Sequence, residues 1–209
     1  MAKSKQKLAE PTRPRYSMHP SLAMEAASVA NLLERTGKSV DEWVAIVQAS
    51  GPPGQKERQA WLKAEHGFTT NYALWVAGRA SGERMAETYD PEALVTAMFA
   101  GPKAGLVPIY ERLLDLGLGL GADVKACPCQ TIVPFYRTHV FAQIKPTTRT
   151  RIDLGLALKD APATGRLIDT GGYAKKDRIT HRIPIERLEE IDDEVVRWLR
   201  KAYELDAPR

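Results

Sequence analysis

The chain has 209 residues, of which 44% are hydrophobic and 27% charged, an ordinary globular composition that suits one large domain or two small ones. It has no apolar run near the roughly 20 residues that span a bilayer, and two cysteines, Cys127 and Cys129, are too few for a disulfide framework. The formal net charge is +4, but residues 1–20 hold five basic side chains against one acidic, so the remaining body is neutral. A sequence pI near 9.0 therefore does not describe a basic surface.

Residues 1–20 read as a disordered basic tail without the apolar stretch of a signal peptide. A cytoplasmic setting is expected, with no membrane association. Residues 21–88 read as a small helical domain. Leu22, Ala26, Val29, Ala30 and Leu33 form a helical stripe that Gly37 ends. Ser39 and Glu42 have capping-box spacing before a helix carrying Trp43, Ile46 and Val47. Gly51-Pro52-Pro53-Gly54 breaks the chain. A helix over Gln55–His66 follows, with Gly67 just past its end, and another starts near Thr70. Residues 89–103 read as a linker helix opened by Asp90-Pro91.

Residues 104–205 read as an α+β domain. A helix over Leu106–Leu116 precedes four strands: Thr131–Arg137, Thr138–Lys145, Arg149–Leu158 and Arg178–Ile185. Period-two alternation places Val140, Ala142 and Ile144 on one face and Phe141, Gln143 and Lys145 on the other. A helix from about Asp192 closes the domain, acidic at its start and basic near its end. The predicted fold is thus a small helical domain followed by helix, four-stranded antiparallel sheet, helix.

Thr36-Gly37-Lys38-Ser39 with Trp43, the Trp61-Leu62-Lys63 helix and Gly67-Phe68 resemble the small helical bacterial domain of unknown function of family 4287. Phe141-Ala142, Leu154-Gly155-Leu156, Thr180-His181-Arg182, Asp192-Asp193-Glu194 and Trp198-Leu199 resemble family 5655, also of unknown function. The resemblance implies a two-domain bacterial protein. It implies no catalytic residues.

Chemical motifs are weak. Gly37-Lys38-Ser39 imitates a phosphate loop, but position 32 is Leu32 and the preceding segment is helical. Gly117, Gly119 and Gly121 follow a helix rather than a strand. Cys127-Pro128-Cys129 has only distant histidines to complete a metal set, so neither metal nor cofactor is assigned. His181 falls on the apolar side of its strand, where a histidine is ordinarily hydrogen-bonded core.

What remains is a basic sheet face. By parity Lys145, Arg149, Arg151, Arg178 and Arg182 share one side, with Arg137 beside them and Phe141 placed to stack a ligand ring. The leading expectation is a non-catalytic binding protein whose face holds an anionic ligand or a nucleic-acid backbone, the helical domain serving as an interaction module. Neutralisation of the face by Asp153, Asp169, Asp177 and the acidic helix start is the alternative within that reading. A different class, a small-molecule enzyme or ligand or metal carrier, would use a pocket between sheet and helical domain, with His139 or His181 and Tyr136 or Tyr173. A structural partner for another protein is the third option.

Overall fold

The computed structural model describes residues 14–83 and 87–208. Most of the expected tail lies outside them. The chain forms two compact units, one over Met18–Asp90 and one joining Pro91–Arg209 with the chain up to Ser17.

The first unit is helical: α1 (Pro20–Ala30), α2 (Leu32–Thr36), α3 (Val40–Ser50), α4 (Gln55–His66) and α5 (Thr70–Ala80). The stripe read as one helix is broken at Asn31, and its last member, Leu33, is 56% exposed while Leu32 is buried. Gly37 ends α2 in the left-handed conformation, φ 73°, and Gly67 ends α4 in the same way, φ 66°. The Ser39–Glu42 capping box is formed in full, and both residues satisfy first-turn donors of α3. Leu32, Trp43, Val47, Leu62, Phe68, Val76 and Ala77 make the core. A unit this small depends on the large area each aromatic buries.

The second unit starts with α6 (Pro91–Met98), a 3₁₀ segment Gly101–Leu106 and α7 (Val107–Leu118). Helix α6, expected as a linker, gives Met98 to this unit's core, and Phe99 follows it there. A six-stranded antiparallel sheet follows, in the order β1 (Lys125–Ala126), β2 (Val133–Tyr136), β3 (Val140–Pro146), β4 (Ile152–Leu156), β6 (His181–Ile185), β5 (Ile168–Asp169). Helix α8 (Asp193–Leu205) packs on β3 and β4, and α7 packs on β1. The expected count of four strands is corrected to six. The added pair, β1 and β5, are two residues long and offer no alternation to read.

Two further expectations change. Residues 14–17 do not extend freely: Tyr16 is buried, its hydroxyl lies 2.6 Å from that of Tyr110, and the Ser17 N–H donates to the Ala126 carbonyl at 2.8 Å. Phe141 is buried rather than on the polar face. Ala142 pairs with Phe135 and Val140 with Tyr136, so Phe141 is the extra residue of a β-bulge. The bulge turns its ring to the core side, where Phe135 stacks on it at 6.0 Å and Tyr203 meets it edge-on at 5.6 Å. Phe141 has no ring face left for a ligand.

Candidate ligand-binding site

The sheet arginines do not form one cationic surface. Arg151 and Arg182 both reach Asp153 Oδ1, at 3.1 and 3.0 Å, and the Thr147 hydroxyl donates to Oδ2 at 2.8 Å. Arg178 donates to the Val140 carbonyl at 2.8 Å and pairs with Asp206. Arg137 donates to Asp123 at 2.7 Å and to the Tyr203 carbonyl at 3.2 Å, and its guanidinium lies 4.0 Å from the Tyr203 ring centre. The Arg137 and Tyr203 hydrogen bonds hold the Asp123 carboxyl below the usual carboxylate range. Lys145 and Arg149 are exposed. Bidentate donors already paired in this way have little fork left for a ligand.

Asp206 was not foreseen. It is 4% exposed and accepts from the Thr138 N–H at 3.0 Å, the His139 N–H at 2.7 Å and His139 Nδ1 at 3.0 Å, besides Arg178. Of the carboxylates expected to neutralise the face, Asp153 pairs with Arg151 and Arg182, whereas Asp169 caps the Gly171 N–H. His181 is core: its Nε2–H donates to the Ala161 carbonyl at 2.8 Å, and the Thr180 hydroxyl donates to Nδ1 at 2.9 Å. Among the described residues no group of three or more metal-ligating side chains is gathered.

A concave site lies instead in the helical unit. Its cavity of about 380 Å³ is lined by Arg35, Thr36, Lys38, Trp43, His66, Gly67, Phe68, Thr69 and Tyr72. Local structure assembles it. The left-handed turn at Gly37 carries the chain from Thr36 to Lys38 at the α2–α3 corner. The matching turn at Gly67 carries it from His66, in the last turn of α4, to Thr69, the N-cap of α5. The two corners meet through aromatic rings. Trp43 contacts Phe68 at 4.8 Å and His66 at 5.0 Å, both edge-on, and its indole N–H donates to the Thr36 hydroxyl at 2.7 Å. Trp61 also meets His66 edge-on, at 4.5 Å.

Charge distinguishes this cavity. Arg35 lies over the Tyr72 ring at 5.2 Å and Lys38 over the Trp43 ring at 5.5 Å. Neither forms an ion pair with a carboxylate among the described residues, and the lining contains no Asp or Glu. The first turn of α5 also lacks an acidic residue and a side-chain cap, whereas α3 has both. Its first-turn backbone N–H groups thus lack a side-chain cap, and Thr69 and Tyr72 from that end line the cavity. The sequence reads Thr36, Trp43, Gly67 and Phe68 as turn, cap and core, and Lys38 as part of an imitated phosphate loop that is better explained as a turn and cap. It gives no role to Arg35 and Thr69.

The fold is a two-unit α+β chain with a helical unit that holds a basic, aromatic pocket and a second unit built on an antiparallel sheet. The model described as Domain of unknown function (DUF5655) matches residues 95–206, more than half the chain, and the chain belongs to that family. The one described as Domain of unknown function (DUF4287) matches residues 25–80, a span that includes every residue of the pocket. No curated protein and no solved structure matches the chain. No single helix among the described residues is long and apolar enough to cross a membrane.

Proposed function

We propose that this chain is a non-catalytic binding protein for a small anionic ligand, and that the ligand sits in the pocket of the helical unit. The observation that carries this reading is a concave site with Arg35, Lys38 and His66 in its wall and no carboxylate. A bound anion would add a counter-charge to the Arg35 and Lys38 side chains that line the cavity. The volume falls in the range of small-molecule sites, about 300–1,000 Å³.

Catalysis is not supported by the lining. The Thr36 hydroxyl donates to the Leu32 carbonyl at 2.8 Å, and His66 is bounded by indole rings rather than by an orienting carboxylate. The His139–Asp206 pair has the geometry of an oriented base, but neither residue lines the pocket. Nucleic acid fits less well than a small ligand, because a polymer needs a basic track several nucleotides long, and the sheet arginines that would supply one are bonded to Asp123, Asp153 and Asp206. Cys127 and Cys129 are thiols, in keeping with a cytoplasmic setting.

The test is calorimetric titration of the full chain with inorganic phosphate, citrate and nucleotides at low salt. Binding by at least one, lost on replacing Arg35 and Lys38 by alanine, is expected. Binding that survives the double replacement overturns the site.

A further inference from the structure

Upstream of the helical unit the chain ends in a segment that the second unit holds much as it would hold a peptide. Residues 14–17 belong to the second unit, although Met18–Asp90 separates them from the rest of it. We infer that these residues are a strap: they fill a slot between α7 and β1 whose rim is acidic, and they leave it without unfolding of the sheet. The matched family span, residues 95–206, contains the slot and not the strap.

Three contacts of different kinds hold the strap. Its backbone adds to the sheet edge, where the Ser17 N–H donates to the Ala126 carbonyl at 2.8 Å. Strand β1 is terminal in the sheet, and the Cys127 N–H donates inward to the Pro134 carbonyl, so by alternation Ala126 turns its carbonyl outward. The Tyr16 ring fills the slot. It is 8% exposed, and its hydroxyl lies 2.6 Å from that of Tyr110, a fully buried residue of α7. Burial pushes both hydroxyls up from the ordinary phenol range, so each keeps its proton and one donates to the other. Arg15 pairs with Glu111 and lies 3.7 Å from Asp115, both on α7. A main-chain bond at a sheet edge with one side chain in a pocket is the geometry of strand addition by a peptide.

The balance of these contacts makes the strap releasable. Tyr16 is the one buried residue of the four, and Pro14 and Arg15 are exposed. Strands β3 and β4, by contrast, pair along five residues and bury Ile144, Ile152, Leu154 and Leu156. Segments with few buried groups open at lower free energy than the core. Release breaks no ladder bond of β1–β2 or β3–β4. It uncovers the Tyr110 hydroxyl and the Ala126 carbonyl and leaves Glu111 and Asp115 without Arg15. The slot therefore fits an extended segment with a basic residue beside an aromatic one, and its resident occupant is the chain's own.

Hydrogen exchange of the full chain, read over residues 14–19 and over β3 and β4, tests the strap. In wild type, residues 14–19 are expected to exchange at least about tenfold more slowly than the same residues as a free peptide, yet faster than β3 and β4. Tyr16→Ala is expected to remove that protection and to leave β3 and β4 within about twofold of wild type. Tyr16→Phe strands the Tyr110 hydroxyl and is expected to lower strap protection by about fivefold or more. Arg15→Ala should lower it by about fivefold or less, because that ion pair is exposed. Titration with the free peptide of residues 14–19 checks the slot. Binding to the Tyr16→Ala chain at least about tenfold tighter than to wild type is expected, since the tethered strap occupies the wild-type slot. Wild-type exchange as fast as that of the free peptide overturns the strap. Equal loss of protection at residues 14–19 and in β3 and β4 of Tyr16→Ala makes Tyr16 ordinary core and overturns release. Equal peptide binding to both chains, or binding to neither, overturns the slot.

Discussion

The Trp43 indole N–H donates to the Thr36 hydroxyl at 2.7 Å, and that bond ties the first turn of α3 to the last residue of α2. Trp43 is buried, so its N–H has no water to fall back on. Replacing Thr36 by valine keeps the shape and removes the acceptor. The expected cost is about 1–2 kcal/mol of helical-unit stability, read by urea denaturation followed through tryptophan fluorescence. An unchanged midpoint would mean the corner is held by ring packing alone.

Asp206 works by a similar logic in the second unit. Its carboxylate takes two backbone N–H groups, His139 Nδ1 and Arg178 at the end of α8. Asp206→Ala strands the Thr138 and His139 N–H donors. A loss of about 2–3 kcal/mol is expected, discounted from the value for a fully buried pair because Arg178 and His139 are largely exposed. Thermal unfolding of the full chain checks it, and a change below half that size would remove Asp206 as the anchor of the α8 terminus.

Glycine substitutions separate two causes of strain. A Cβ on Gly67 would meet nothing within 4 Å, so Gly67→Ala costs only the left-handed backbone, about 1 kcal/mol. A Cβ on Gly117 would lie 2.4 Å from Phe135 Cζ, and Phe135 is fully buried. Helix propensity alone would favour alanine there by about 1 kcal/mol. Overpacking should reverse the sign, with a net loss of about 2 kcal/mol by equilibrium denaturation.

Burial, with Cys129 close by, pushes the Cys127 thiol up to about 12. An unfolded thiol ionises near about 8.5. Below that pH both states hold the proton and the stabilising contribution is whole. As pH rises toward 12 the unfolded chain has released the proton and the folded chain has not, so stability falls. Cys127→Ala should flatten the decline between about pH 9 and 12. A variant with the same slope would assign the decline to other groups.

The sequence-level features that survived are those with several residues of pattern. The capping box at Ser39 and Glu42, the glycine stops at Gly37 and Gly67, and the alternation of β6 each repeat a local rule over a turn or a strand, whereas β4, expected to be half-buried, is buried along its whole length. Features that failed depend on one residue out of step or on distant partners. A single bulge residue carried Phe141 from the polar face to the core. Asp206 lies 28 residues from Arg178 and 67 from His139 along the chain, so no local pattern announced it. The pocket was invisible for the same reason. Arg35 and Thr69 are ordinary helix-end residues until two left-handed turns bring their corners together.

The proposed anion site lies in the helical unit and not on the sheet. The most direct measurement is phosphate or nucleotide affinity, by calorimetry at low salt, for two double variants of the full chain. Arg35→Ala with Lys38→Ala should weaken binding by about tenfold or more, and Lys145→Ala with Arg149→Ala should leave it within about twofold. The reverse pattern, with affinity kept in the first variant and lost in the second, would return the site to the sheet face and contradict the account.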